Sequence, residues 1–300
     1  MRSGLSFLAL LLFLNVPAYT TAACGGHGDR STLLVTARWL ADHANDPELV
    51  ILAIGQKAEF DKGHIPGAQF LDYNSIVLRA TSGRPNSYEM PAMSDLADVF
   101  RGFGVSNNSR VVLYMTKDSI SPATRVYLTL DAMGLGAQSS FLDGGFRAWQ
   151  SEKGPVTTEV RERKPGKLEP CAQSDVIVDM AYVKSNLRHP GVTIVDARTP
   201  NFYSGETPGR NQRPGHIPGA ASIPYMTLLD DQGNFKSPEA LQQQFQAAGV
   251  KQGGRVVSYC HIGQQATVVY FAARYLGYDA RLYDGSFEEW SRHTELPVEK

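Results

Sequence analysis

Arg255-Val256-Val257-Ser258-Tyr259-Cys260-His261-Ile262-Gly263-Gln264-Gln265 is the stretch from which the fold of this chain is read. Val256 to Tyr259 is short and β-prone, and Gly253-Gly254 opens it, so it reads as a buried strand. From Gln264 to Leu276, the residues Val269, Ala272, Ala273 and Leu276 recur at helical spacing, and Gly277 follows as a stop signal. Cys260 therefore falls in a short loop between a strand and a helix. Successive N–H groups can converge on one point there, and the helix N-terminus adds positive potential. A thiol held at that point is expected to ionise more readily and to be nucleophilic. The alternative is a buried structural cysteine. Both readings stand on this stretch alone.

Working outward, several pieces of the chain occur twice. Gly63-His64-Ile65-Pro66-Gly67-Ala68 returns letter for letter as Gly215-His216-Ile217-Pro218-Gly219-Ala220. Asp143-Gly144-Gly145-Phe146 and Trp149 return as Asp284-Gly285-Ser286-Phe287 and Trp290, and Arg110-Val111-Val112-Leu113-Tyr114 answers Arg255 to Tyr259. The order is the same in both halves, which marks a tandem duplication of a domain. Leu49 to Ala53 and Thr193 to Val195 read as strands, and Ala92 to Gly102 and Pro238 to Ala248 as helices. Alternating strands and helices predict an α/β fold with a largely parallel sheet in each half. Residues 151–172, with Pro155, Pro165, Pro170 and many charges, read as the linker. The Gly-His-Ile-Pro-Gly-Ala turns are explained by turn chemistry, with His64 and His216 hydrogen-bonding locally.

Arg2, the apolar run Leu5 to Leu14 and the small residues Thr20 to Ala23 form a secretory signal over residues 1–23. Two processing routes fit: cleavage near Ala22 or Ala23, or lipidation at Cys24. Thr21-Ala22-Ala23-Cys24 resembles a bacterial lipobox with Thr21 in place of the usual leucine, and Gly25-Gly26-His27-Gly28 has the composition of a tether. The expected location is outside the cytoplasm, periplasmic or lipid-anchored in a bacterial envelope, with membrane contact only through such an anchor. The apolar content of 42% supports ordinary globular cores, and the net charge of −1 gives no sign of a nucleic-acid partner. Cys24, Cys171 and Cys260 are too few for a disulfide framework. A Cys24–Cys171 bridge would need both thiols unlipidated and close, and is not expected.

Together these residues resemble the tandem rhodanese family of sulfurtransferases, over nearly all of the chain beyond the signal. The signature pieces are the two Gly-His-Ile-Pro-Gly-Ala turns, Asp196-Ala197-Arg198, the Tyr259-Cys260 loop and Asp284-Gly285-Ser286-Phe287-Glu288-Glu289-Trp290. The resemblance implies two rhodanese-like domains, each a mostly parallel sheet flanked by helices. Residues 29–150 would be inactive, with Met115 in the cysteine position, and residues 173–300 catalytic through Cys260. It also implies sulfur transfer from a small donor such as thiosulfate to cyanide or a thiol, by way of a Cys260 persulfide. The loop N–H groups of His261, Ile262, Gly263, Gln264, Gln265 and Ala266 would stabilise the outer sulfur, with no cofactor or metal.

This chain departs from the family where it meets an anion. Thiosulfate enzymes commonly read Cys-Arg-x-Gly-x-Arg or Cys-Arg-x-Gly-x-Thr through the loop, whereas His261 and Gln265 stand here. Mercaptopyruvate enzymes commonly read Cys-Gly-Ser-Gly-Val-Thr, matched beyond the cysteine only at Gly263. Phe202 occupies the place of an anion-binding arginine. Arg210 and Arg213 are the candidate replacements, beside Asp196 and Arg198 as supporting residues, and His261 either polarises the donor or faces solvent. Three further readings remain: a 3-mercaptopyruvate sulfurtransferase, a non-catalytic sulfur- or metalloid-binding envelope protein, and a cysteine phosphatase. The last needs an arginine six positions after the cysteine to clamp phosphate, and position 266 is alanine.

Overall fold

The computed structural model describes residues 30–300 apart from Asp118 and Asn211. The signal and Cys24 lie outside the described residues. Each half carries one five-stranded sheet. The first is built from β1 (Leu34–Val35), β2 (Leu49–Ile54), β3 (Ala68–Phe70), β4 (Arg110–Met115) and β5 (Ser139–Leu142), in the order β1-β5-β4-β2-β3. The second uses β6 (Ile177–Val178), β7 (Val192–Asp196), β8 (Ala221–Ser222), β9 (Arg255–Tyr259) and β10 (Asp279–Tyr283), in the order β6-β10-β9-β7-β8. All pairings within the two sheets are parallel. A parallel sheet is covered on both faces, so its strands read as unbroken apolar runs. Leu49–Ile54, buried at every position, is such a run.

The strand–loop–helix unit at Cys260 differs from expectation at the helix start. β9 begins one residue earlier than expected, and the following helix opens at Ala266 rather than Gln264. Gly263 is the reason: its φ of +79° curls the chain before it can turn helical. A Cβ there would lie 2.8 Å from the Asp284 carbonyl oxygen, so only glycine fits. Because β9 lies between β7 and β10, Cys260 stands at the C-terminal edge of the sheet's middle, where open α/β sheets place their ligands.

One apolar core runs through both halves. The Ser121–Ala132 and Ala266–Tyr275 helices, almost wholly buried, pack against each other, and Phe271 meets Tyr127 and Phe141 edge-on at 4.9 and 4.6 Å. Thr124 and Thr267, equivalent in the duplication, share a hydrogen bond of 2.6 Å across the junction. Separate clusters around Trp149 and Trp290 cover the outer face of each sheet. The segment between Gly154 and Val176 has no helix or regular strand, yet it is laid down on the first domain. Leu168 is buried and its carbonyl accepts from Arg101, and the Cys171 N–H donates to the Met133 carbonyl at 3.0 Å. Cys171 is also disulfide-bonded. That corrects the expectation of no bridge: the linker is fastened down, which holds this cysteine in place.

Candidate active site

Cys260 is fully buried and gripped through its backbone. Its N–H donates to Ser286 Oγ at 3.3 Å, and its carbonyl accepts from the Phe287 N–H at 3.0 Å. Ser286 has a φ of +52°, a conformation that costs a non-glycine residue about 1–2 kcal/mol. Its hydroxyl, bonded onward to the Tyr283 carbonyl, is what that strain obtains. Among the described residues, no N–H from His261 to Ala266 has a hydrogen-bond partner. A run of N–H groups without protein partners, between a buried sulfur and a helix N-terminus, can receive an anion.

Behind the loop, Asp196 and Arg198 brace the sheet edge. Arg198 donates from Nη2 to Asp196 Oδ2 at 2.6 Å and to the Gly215 carbonyl at 2.8 Å, and its guanidinium lies 4.2 Å over the Phe287 ring. Tyr259 donates its hydroxyl to Asp196 at 2.7 Å and accepts from the Ile217 N–H at 3.1 Å. Burial and then the Asp196 charge hold the Tyr259 hydroxyl far above its ordinary pKa, so it stays a donor. The pair thus ties the Gly-His-Ile-Pro-Gly-Ala turn to the strand that carries Cys260. His216 is buried against Tyr203 and bonds its carbonyl at 2.8 Å, a local role as expected.

In front of the loop lies a cleft of about 500 Å³, lined by Ser87, Phe202, Gly209, Arg210, Gln212, His261, Ile262 and Glu288. His261 is half-buried in the wall of this cleft. Burial, followed by the Arg198 charge, lowers its pKa to about 4. Its Nδ1 lies 2.9 Å from Gln212 Oε1, and its ring meets Phe202 edge-on at 4.5 Å. Arg210 is exposed on the rim of this cleft, whereas Arg213 is not available to a substrate. Arg213 donates to the carbonyls of Ser291, Leu296, Trp290 and His293, which fixes the C-terminal turn, so its candidacy as an anion partner is corrected.

The profile of the Rhodanese-like domain family matches residues 36–152 and 179–293. The chain belongs to the rhodanese family of sulfurtransferases. It is 32% identical over 280 residues to a rat 3-mercaptopyruvate sulfurtransferase, covering 86% of this chain and 91% of the relative. It is 30% identical to the sulfur carrier protein TtuD of Thermus thermophilus, covering 89% of this chain and 96% of that one. Among solved structures, the 3-mercaptopyruvate sulfurtransferase SseA of Escherichia coli matches with a TM-score of 0.73 and 27% identity, over 85% of this chain and 98% of its own.

In this rhodanese the first domain, which lacks the cysteine, supplies much of the site. Ser87 donates its N–H to the Glu288 carboxylate at 2.7 Å and closes one side of the cleft. The Met90 N–H donates to Asp284 at 2.8 Å, and Arg125 reaches Asp284 and the Gly263 carbonyl. Burial pulls the Arg125 pKa down, but the charge and hydrogen bond of Asp284, with Tyr73 and Cys260 adding to them, leave it raised above its ordinary value. None of Ser87, Met90 or Arg125 was singled out from the sequence, because each acts on residues far along the chain. One signal was present: the duplication sets Arg125 opposite Val268, a charge facing an apolar residue in paired helices.

Proposed function

We propose that the protein moves a sulfane sulfur through a persulfide on Cys260. The Cys260 thiolate attacks the outer sulfur of thiosulfate. A new S–S bond forms, the old one breaks, and its electron pair leaves with sulfite. A cyanide or thiolate acceptor then bonds to the outer sulfur, and the electron pair returns to Cys260. The observation that carries this reading is the run of unpaired N–H groups from His261 to Ala266 around a buried thiol. Those dipoles are preorganised for the charge on the outer sulfur, as in an oxyanion hole. The donor's anionic end docks at Arg210, the exposed cation on the rim. A 3-mercaptopyruvate donor fits the same rim through its carboxylate.

Intact mass after exposure to thiosulfate tests the proposal. One added sulfur per chain, released by cyanide and absent in Cys260→Ser, is expected, and loading that survives Cys260→Ser contradicts it. A second reading, carriage of the sulfur to a protein acceptor, is favoured by the likeness to TtuD, named a sulfur carrier protein. Slow cyanide turnover beside full loading would favour the carrier.

We further propose export to an oxidising compartment. The apolar run Leu5 to Leu14 supports it, as does the disulfide at Cys171, since such bonds persist outside the reducing cytosol. With Cys260 free, Cys24 is the remaining partner in sequence terms, and a sulfur in a disulfide cannot carry a lipid. Intact mass with and without reductant distinguishes the two: a reducible bridge at Cys24 excludes the anchor, and a lipid adduct there excludes the bridge.

A further inference from the structure

Arg125 belongs to the domain without the cysteine and is wholly buried. It interrupts the otherwise uncharged run Ser121 to Leu130. Its Nη1 donates to the Gly263 carbonyl at 3.2 Å and to Asp284 Oδ1 at 2.5 Å. Its Nη2 donates to the Tyr88 carbonyl at 2.8 Å and to Asp284 Oδ2 at 3.3 Å, and Nε has no partner among the described residues. The side chain's hydrogen bonds therefore go to the Cys260 loop and to the two segments that close over it.

What this achieves follows from peptide geometry. In a trans peptide the C=O and N–H lie in one plane and point opposite ways. Gly263, at φ +79°, has no side chain to resist rotation of the peptide that follows it. Among the described residues, Arg125 is the group that bonds the Gly263 carbonyl. Holding that carbonyl toward Arg125 turns the Gln264 N–H the other way, into the loop. Other contacts from the same helix support this arrangement: Gln264 Nε2 reaches Ser121 Oγ at 3.5 Å, and Thr267 donates to the Ser121 carbonyl at 3.3 Å.

We propose that Arg125 is a positioning residue, acting from the non-catalytic domain to fix the Gly263–Gln264 peptide so that the Gln264 N–H faces the sulfur carried by Cys260. This rests on the persulfide reading above. It gives the first domain a part in the chemistry without touching substrate. It also accounts for the asymmetry at this position, because Val268, the equivalent of Arg125, faces a half with no sulfur to hold.

The test uses the full chain and single-turnover loading with thiosulfate, scored per folded molecule. Arg125→Met is expected to slow persulfide formation about a hundredfold, the scale of losing one aligned oxyanion donor, and Arg125→Lys to recover about tenfold of that. A purely structural role would lower the thermal midpoint and leave the rate per folded chain within about twofold of the natural protein, which would overturn the proposal. If Arg125→Met does not fold, Arg125→Met with Asp284→Asn leaves no unpaired buried charge and is expected to fold and to load as slowly. The natural protein supplies an independent readout. The Gln264 amide resonance is expected to shift on sulfur loading, and an unmoved Gln264 amide in the loaded protein would also overturn it. Failure of the natural protein to take up sulfur sinks the persulfide reading itself, whereas uptake that Arg125→Met leaves undiminished sinks the arginine alone.

Discussion

The ends of β4 and β9 are the same place in two copies of one domain, and only one of them holds a thiol. Their frames agree closely. Arg110–Tyr114 matches Arg255–Tyr259, both strands sit in the middle of their sheets, and both are followed by a buried helix. The surroundings do not agree. Asp196 pairs in register with Tyr259, while Ala53 pairs with Tyr114, so the carboxylate that braces the second turn is missing from the first. Ser286, which holds the Cys260 N–H, is replaced by Gly145 at a similarly positive φ. Gly233, Asn234 and Phe235 from the second domain close the Met115 end to a space of about 20 Å³, against about 500 Å³ before His261. The lesson is that the duplicated frame makes the fold, and the departures from it make the site.

If that is right, perturbing the two halves should have unequal consequences. The largest effect expected is at Cys260, where serine should abolish sulfur loading altogether. Next is the Asp196–Arg198 brace. Arg198→Met leaves a buried carboxylate unpaired and should cost about 3–5 kcal/mol by denaturant unfolding. Nothing of that size is available at Gly55, which follows β2 as Arg198 follows β7. A smaller effect is expected at the rim. Arg210→Gln should weaken the apparent affinity for thiosulfate about tenfold and flatten its salt dependence, read from steady-state rates at several ionic strengths. An unchanged salt profile would place the anion elsewhere.

The last effect concerns pH and His261, whose pKa in the folded protein is lowered from 6.5 to about 4. Between those values the unfolded chain binds the proton and the folded chain does not. Stability therefore falls as pH drops through about 6.5 and stops falling near 4, a loss of about 2–3 kcal/mol from this group. His261→Gln should remove that portion of the acid loss. Thermal midpoints from pH 7 to 4 measure it, and parallel curves for the two proteins would contradict it.

Much of the fold was legible in the sequence, because strands buried on both faces leave continuous apolar runs and the duplication repeats its turns. The Cys260 loop was legible for the same local reason: strand, glycine curl and helix are contiguous. The helix start was misplaced by two residues because Gln264 and Gln265 satisfy helical spacing while Gly263 forbids helical geometry just before them. Arg213 and His261 were ambiguous because their roles depend on partners at residues 212 and 290–296, which only folding brings near. Arg125 was out of reach for the same reason, acting on Gly263 across 138 positions. The Cys171 bridge was not expected because three cysteines make no framework and Cys24 reads as a lipidation site, while the hydrogen bonds that fix the segment around Cys171 join residues 62 positions apart.

The central claim is that the cradle around the cysteine, and not the mere presence of a thiol at the end of the middle strand, makes the site. The most direct measurement moves the thiol: Met115→Cys in a Cys260→Ser background, treated with thiosulfate and read by peptide mass. The account predicts no sulfur at position 115, because that end of the sheet is closed by Phe235 and lacks Ser286, the Asp196–Arg198 brace and the arginine that Val268 replaces. A persulfide at position 115, formed at a rate near that of Cys260 in the natural protein, would contradict it.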